Sequence, residues 1–116
     1  MHESTKIFKA LSDEGRLRIL NLLSQKPLCV CEITEILHLA TSTVSKHLSI
    51  LRDAGFIIYK KDGKWVNYHL NDDANEQVRI LTDLIIGWLS KNQMSINDIA
   101  KLATVDRNCI CGIEKS

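Results

Sequence analysis

Apolar residues recur at helical spacing between positions 39 and 55, and the rest of the chain is organised around this segment. Val44, Leu48 and Leu51 follow one another at intervals of three or four residues, which predicts a helix with one buried face. Gly55 stands where a helix commonly ends. Three hydroxyl residues of the kind that caps a helix stand at its start: Thr41, Ser42 and Thr43.

The polar face of this helix is short, hydroxyl-rich and basic, which suits the base edges and phosphates of a DNA major groove. An ordinary surface helix is the alternative for this segment taken alone. We expect groove contacts from five side chains: Ser42, Thr43, Ser45, Lys46 and His47. Packing within the protein accounts for His47 equally well. Arg52, near the end of the helix, is expected to contact a phosphate.

Three shorter helical patterns precede this segment. The apolar spacing predicts helices over 3–11 and 14–24, and a third from Cys29 or Val30 to Leu37. The short link at 38–40 then leads into the candidate recognition helix. Two short helices joined by a tight turn, the second with a polar face, form the helix-turn-helix pattern.

A β-hairpin is predicted directly after this pair. Residues 56–60 and 65–70 are rich in β-branched and aromatic side chains, and Asp62-Gly63 between them is a preferred pair for a type I′ turn. Basic residues surround the turn, among them Lys64, which we expect on the phosphate backbone. The fold class is therefore mainly α with a β-hairpin wing, a winged helix-turn-helix.

The region after the hairpin predicts a long helical stretch, capped by Asp72 or Asp73 and reaching about Ala103, with a bend or break at 90–93. Its apolar face is too wide for one small domain to cover. We expect a homodimer formed through the first and last helices, while folding of this stretch back onto its own domain is the alternative. We assign residues 1–104 to one DNA-binding and dimerisation domain and residues 105–116 to a tail.

Charge is distributed unevenly along the 116 residues, although the net charge is only +1. Residues 41–69 hold five basic and two acidic side chains, a net +3, against 0 for 1–40 and −2 for 70–116. The positive charge thus surrounds the candidate recognition helix, as expected for a DNA footprint. No apolar run approaches a membrane span and the N-terminus has no signal-peptide core, so we expect a cytoplasmic protein with no membrane partner.

Four cysteines form two C-x-C pairs, Cys29/Cys31 before the recognition helix and Cys109/Cys111 in the tail. In a reducing compartment such pairs favour metal ligation or redox sensing over structural disulfides. On a regular helix, residues i and i+2 point about 200° apart, so one ion can meet both sulfurs only where the helix start is irregular or unwinds. A soft ion at this position would therefore distort the helix, and a helix N-terminus is expected to lower the thiol pKa. A pair of small buried hydrophobic residues is the alternative.

Four blocks of this sequence together resemble the arsenic-repressor (ArsR/SmtB) family of metal-responsive winged-helix repressors. They are FKALSDEGRLRIL at 8–20, LCVCEI at 28–33, SKHLSILRDAG at 45–55 and GKWVNYHL at 63–70. The resemblance implies a homodimer that binds operator DNA when free and releases it when a thiophilic ion binds. The LCVCEI segment looks like the cysteine box of the arsenite and antimonite sensors, and equally like that of the cadmium/lead sensors.

The metal site of the family is incomplete in this box. The arsenite pattern has a third cysteine where this chain has Thr34, and residues 1–28 contain no cysteine of the kind that completes the cadmium/lead site. A zinc site on the last helix is discounted because all four histidines precede that helix. We therefore expect Cys109 and Cys111 to complete the site with Cys29 and Cys31. Three thiolates suit As(III) or Sb(III), which we favour, and four suit Cd(II), Pb(II) or Zn(II).

Other functions remain open from the sequence. The same cysteines could form a disulfide or polysulfide in a redox-responsive repressor that uses no metal. A winged helix can also bind protein instead of DNA. An enzyme is not expected, because the sequence has no nucleophile triad, phosphate loop or pair of acids in a plausible pocket, and we expect no organic cofactor.

Overall fold

Six α-helices and one antiparallel hairpin make up residues 2–105, the part of the chain that the computed structural model describes. A short 3₁₀ turn, Leu102–Thr104, follows the last helix. The elements in chain order are α1 (His2–Ala10), α2 (Glu14–Leu23), α3 (Val30–Leu37), α4 (Thr41–Asp53), β1 (Ile57–Asp62), β2 (Trp65–Leu70), α5 (Glu76–Leu89) and α6 (Gln93–Lys101).

Helix α2 lies at the centre of the core and packs against α3, α4, α5, α6 and β2. Its Ile19, Leu20 and Leu22 are fully buried. The three apolar positions that predicted the recognition helix, Val44, Leu48 and Leu51, are also buried, as the periodicity requires. Burying each such side chain contributes about 1.5–3 kcal/mol to folding, so α4 is fixed by its apolar stripe. The predicted winged helix-turn-helix is confirmed.

The hairpin turn lies one residue later than predicted. Asp62 pairs with Trp65, so the two loop residues are Gly63 and Lys64 instead of Asp62 and Gly63. Gly63 has a φ of 63°, whereas Lys64 has no positive φ. A positive φ at the first central residue alone is the pattern of a type II′ turn, in which glycine occupies that position. The predicted type I′ turn is therefore wrong.

Two of the predicted helix caps are also wrong. The residue preceding α4 is Ala40, which makes no side-chain capping bond, and Thr41 already belongs to the helix. Helix α5 is capped by Asn75, whose side chain accepts a hydrogen bond from the Val78 amide at 2.9 Å. At α5 the sequence rule selected the correct residue type but misplaced it by two or three positions, because several short polar residues adjoin the helix start; at α4 the residue before the helix is not polar.

The predicted long C-terminal stretch is two helices, separated at residues 90–92, within the segment 90–93 where a bend or break was expected. Asn92 caps α6, and α6 folds back onto α2. The Arg18 guanidinium binds the buried Asp98 carboxylate through two bonds of 2.9 and 3.0 Å. The fold-back alternative therefore holds for α6.

Helix α5, in contrast, leaves large apolar side chains in solvent. Leu84 and Trp88 are 62% and 76% exposed, and Phe8 of α1 is 61% exposed. The most exposed apolar side chains thus lie on α1 and α5, the first part of the predicted C-terminal stretch, while Met94 and Ile96 of α6 are 42% and 45% exposed. Within residues 2–105, no helix is both long and apolar enough to span a bilayer.

Candidate DNA interface and thiol site

The outward face of α4 presents the predicted DNA-contacting residues. Ser42, Thr43, Ser45 and Lys46 are all exposed, while the apolar stripe on the other side is buried. Since α4 has no side-chain cap, its first-turn amides are not covered by a capping side chain and add partial positive charge at this end. The arrangement offers hydroxyl donors and acceptors together with one ammonium group to an incoming nucleic acid.

Arg52, at the far end of α4, lies against the hairpin. Its guanidinium carbon is 5.1 Å from the centre of the Tyr59 ring in β1. Tyr59 in turn contacts Tyr68 of β2, with ring centroids 6.0 Å apart and planes inclined at 54°. A cation over an aromatic face is attracted by the ring quadrupole. The recognition helix and the hairpin are thus joined through Arg52, whose charge remains exposed to solvent.

Lys64 occupies the tip of the hairpin. Its ammonium nitrogen lies 5.1 Å from the centre of the Trp65 ring, and the residue is exposed. Lys60 and Lys61 are exposed on β1. The hairpin therefore carries exposed basic side chains at and near its tip.

His47 lies apart from the other predicted DNA-contacting residues. Its side chain is only 13% exposed and meets α2, with Nδ1 at 3.1 Å from Nη1 of Arg16 and Nε2 at 3.5 Å from Oδ2 of Asp13. The pKa of His47 is lowered from 6.5, first by burial and then by the charges of Arg16 and Lys46, against the opposing effect of Asp13. Of the two roles open from the sequence, the geometry supports packing within the protein.

Cys29 is the N-cap of α3 and has an extended backbone, with φ −90° and ψ 169°. The irregular helix start that one ion would need to meet two cysteines is therefore present, since Cys29 precedes the helix and Cys31 lies in its first turn. The Cys29 amide donates to Oε1 of Glu32 at 3.0 Å, and the Cys29 sulfur faces the Glu32 backbone in a capping box.

The pKa of the Cys29 thiol is raised from 9.0, which corrects the expectation of a lowered value. Burial is the largest cause, and the Glu32 carboxylate adds to it by its charge and its side-chain hydrogen bond. Backbone hydrogen bonds from Glu32 and Cys31 act in the opposite direction and do not compensate. The backbone amides at the helix start thus lower the thiol pKa as expected, but desolvation raises it by more.

The residue before Cys29 connects this site to the hairpin. The Leu28 amide donates to the Tyr68 carbonyl at 3.2 Å, and the Tyr68 amide donates to the Leu28 carbonyl at 2.8 Å. Leu28 is fully buried. A short path of direct contacts therefore runs from Cys29 through Leu28, Tyr68 and Tyr59 to Arg52.

The predicted metal ligands are only partly within the described residues. Cys29 and Cys31 lie together at the start of α3, and Cys31 is disulfide-bonded. Cys109 and Cys111 lie outside residues 2–105. In that described range, no three His, Cys, Asp or Glu side chains form a cluster that could hold a metal ion. Thr34, at the position of the third cysteine in the arsenite pattern, donates its hydroxyl to the Cys31 carbonyl at 2.8 Å.

Three residues of this surface were not singled out from the sequence: Arg16, Tyr59 and Tyr68. The tyrosine pair depends on the strand register, since a turn at Asp62-Gly63 would place Val66, not Tyr68, opposite Tyr59. The correct turn assignment would have predicted the contact. For Arg16, which bonds to a helix 31 residues further along the chain, the sequence has no local signal.

Comparison with known proteins agrees with this geometry. The family model described as bacterial regulatory protein, arsR family, matches residues 13–59. The chain is 31% identical over 100 residues to the arsenic resistance transcriptional regulator ArsR1 of Pseudomonas putida, covering 82% of this chain and 78% of the relative. It is 43% identical over 74 residues to a CadC homolog of Staphylococcus aureus, a cadmium resistance transcriptional regulatory protein, covering 63% of this chain and 61% of the relative.

A solved structure with a similar fold is the homodimeric winged helix-turn-helix DNA-binding domain of a possible ArsR-family regulator from Mycobacterium bovis. The two match with a TM-score of 0.65 and 26% identity, over 79% of this chain and 82% of that one. The family model, the relatives and the fold agree that the chain belongs to the arsR family of bacterial regulatory proteins, which are DNA-binding transcriptional regulators.

Proposed function

We propose that this protein is a homodimeric repressor that binds operator DNA through α4 and the hairpin and releases it when a thiophilic ion binds its cysteines. The observation that carries the DNA-binding part is the exposed polar face of α4, joined to a basic hairpin by the Arg52–Tyr59 contact. Ser42, Thr43, Ser45 and Lys46 contact the groove, and Arg52 and Lys64 contact phosphates. A regulator of this kind acts in the cytoplasm, where its DNA is.

The homodimer is supported by the exposed apolar surface of α1 and α5. Trp88, Leu84 and Phe8 are each more than half exposed, and Leu84 and Trp88 line a cavity of about 630 Å³ with mostly apolar walls. Patches of this kind on a small soluble chain usually mark a protein interface. A second copy would cover the surface by the same patch, as two-fold symmetry requires. The M. bovis structure is homodimeric.

In the reduced protein, the inducer is a thiophilic ion held by thiolates of Cys29 and Cys31, with Cys109 or Cys111 supplying the remaining ligands. Two soft donors at one helix start fit such an ion, and Cys29 lies where the helix has not yet begun. We favour As(III) or Sb(III) on three thiolates over Cd(II), Pb(II) or Zn(II) on four. The relatives include regulators named for arsenic resistance and for cadmium resistance.

Release of DNA follows from the position of this site. Helix α3, which begins after Cys29, packs against α4, so a displacement of its first turn reaches the recognition helix. A displacement of Leu28 also breaks its two hydrogen bonds to Tyr68 and loosens the hairpin beneath Arg52. The ion therefore acts on both parts of the DNA-binding surface without touching DNA.

DNA binding is tested by fluorescence anisotropy with the DNA upstream of the protein's own gene, against unrelated DNA of equal length. Thr43→Val should change the preferred sequence, because a groove hydroxyl is lost, while Lys64→Ala should weaken binding to all sequences. Equal affinity for both DNAs at all salt concentrations would contradict an operator-specific repressor. Affinity for a protein target that does not change with salt would favour the protein-binding alternative.

The inducer is tested by adding As(III), Sb(III), Cd(II), Pb(II) or Zn(II) to the preformed complex. Cys29→Ser is the sharpest variant, because serine is a good N-cap and retains the capping box while removing the thiol. It should bind DNA normally and no longer respond. Cys109→Ser/Cys111→Ser tests the tail: unchanged ion affinity and stoichiometry in this double variant would remove the tail from the site.

A thiol-oxidation switch is the second candidate function, favoured by the disulfide-bonded state of Cys31. An oxidant or persulfide would then release DNA in the presence of a chelator, and a reductant would restore binding. Metal ions added under reducing conditions would have no effect. Ion binding and thiol oxidation therefore predict opposite outcomes: only the first releases DNA when metal ions are added under reducing conditions, and only the second does so with an oxidant and a chelator.

A further inference from the structure

One guanidinium connects α1 with α4. Nε of Arg16 donates to the Ala10 carbonyl at 2.8 Å, and Nη2 donates to the Lys9 carbonyl at 3.2 Å. Nη1 of the same side chain lies 3.1 Å from Nδ1 of His47 in α4. The last carbonyls of a helix have no partner within the helix and attract a cation. Arg16 therefore binds the end of α1 and the middle of α4 at once.

The chemistry of this contact determines the protonation state of His47. Arginine has only donors, so Nδ1 of His47 must be the acceptor and must carry no proton. The ring is then neutral with its proton on Nε2, which faces Oδ2 of Asp13 at 3.5 Å. Protonation of Nδ1 would place two donors against each other and break the contact with Arg16.

Packing around His47 leaves little space for another ring position. A Cβ at Gly15 would lie 3.0 Å from Nε2 of His47 and 3.1 Å from Oδ2 of Asp13, so any larger residue would have to push these side chains aside by a few tenths of an ångström. Asp13 is itself the N-cap of α2 and accepts from the Arg16 amide at 3.2 Å. The imidazole is therefore held between the start of α2 and the Arg16 side chain.

We propose that Arg16 and His47 are positioning residues that fix the orientation of α4 relative to α1 and thereby set the distance between the two recognition helices of the dimer. The inference rests on the proposed function, in which α1 and α5 form the dimer interface. Dimers of this type read two half-sites about one helical turn apart, so the angle of α4 against the interface determines which spacing fits.

The first test measures this orientation without DNA. Two spectroscopic labels are introduced as noncanonical amino acids at the exposed positions Lys6 in α1 and Ser49 in α4, and the distribution of distances between them is recorded. The wild type should give a narrow distribution. Arg16→Gln, which cannot bridge both partners, should give a broader one. Unchanged width in Arg16→Gln would overturn the proposal, whether or not the protein binds DNA.

The second test uses operators whose half-sites are moved apart or together by one base pair. The wild type should discriminate among spacings by at least about tenfold, the cost of a typical misfit. Arg16→Gln should lose most of that discrimination. His47→Gln, whose amide oxygen can still accept from Arg16, should keep it, whereas His47→Leu should lose it. Equal discrimination in Arg16→Gln and the wild type would contradict the proposal.

The matched control is Arg18→Gln, which breaks the ion pair that joins α2 to Asp98 of α6 and leaves the Arg16–His47 contact in place. It should unfold at lower denaturant concentration yet retain the narrow label distribution and the spacing preference. If it loses both to the same degree as Arg16→Gln, general destabilisation explains the effect and the proposal is wrong. Absence of DNA binding in the wild type would count against the proposed function only, since the label distances still decide the positioning role.

Discussion

The contact between Arg52 and Tyr59 allows the charge of a DNA-contacting residue to be separated from its orientation. Arg52→Gln removes the charge and leaves the ring, whereas Tyr59→Leu removes the ring and leaves the charge. Both side chains are exposed, so neither change opens a cavity in the core. The two variants should therefore fold normally and differ only at the DNA surface.

The expected effects differ in kind. Each phosphate contact contributes about 0.9 to the slope of log affinity against log salt, so a dimer that loses two Arg52 contacts should lose about 1.8. A cation–π contact at an exposed site is worth about 0.5–1 kcal/mol, so Tyr59→Leu should weaken the dimer–DNA complex by about 5- to 30-fold for two copies. The slope should stay near the wild-type value, because the charge can still reach the phosphate.

Fluorescence anisotropy titrations at four or five salt concentrations measure both quantities. Lys26→Gln, which removes one exposed charge outside α4 and the hairpin, is the control for net charge. An unchanged slope in Arg52→Gln would refute the assignment of Arg52 to a phosphate. A slope reduced equally in Tyr59→Leu would refute the separation of charge from orientation.

Three further predictions concern stability. Burial lowers the pKa of His47 below 6.5, so the folded state disfavours protonation of the ring. The stability that this gives is retained above pH 6.5 and lost as the pH falls below it. Urea unfolding at pH 7.5 and 5.5 should therefore show a smaller loss of unfolding free energy in His47→Gln than in the wild type. Arg18→Gln leaves the Asp98 carboxylate buried without its cation and should cost about 3–5 kcal/mol in the same assay, while Asp98→Asn should cost less, since Arg18 can reach water. Gly55→Ala should cost about 1–2 kcal/mol from its φ of 92° alone, since the new methyl group would meet Val78 at an ordinary contact of 4.0 Å; a neutral result would contradict this strain.

The sequence predicted the elements and the buried face of α4 because these depend on local periodicity. Val44, Leu48 and Leu51 can lie on one side only if the segment is helical, and they do. The hairpin was equally predictable, since one glycine lies between two β-rich runs. The exact turn was not, because Asp62-Gly63 and Gly63-Lys64 both satisfy turn chemistry and only the pairing of the strands selects between them.

Side-chain roles at the site were less predictable, because they depend on contacts between distant elements. The pKa of Cys29 is a clear case: its position at a helix start was predicted, its burial was only the alternative, and burial determines the direction of the shift. His47 shows the same limit. A histidine on a polar helix face suits DNA as well as protein, and only the position of α2 places Arg16 against it.

Besides the packing of α3 against α4, two sets of contacts hold α4 at different points, and this gives the proposed regulation a specific form. Arg16 holds His47 at the middle of the helix, while the path from Cys29 through Leu28 and Tyr68 ends on Arg52 at its last turn. Ion binding at Cys29 displaces the second set and leaves the first in place. The ion-bound dimer should therefore bind DNA with a lower salt slope but with the same preferred half-site spacing, which anisotropy with the spacing series measures. A change of preferred spacing on adding the ion, at an unchanged slope, would show that the signal reaches α4 through α2 and not through the hairpin.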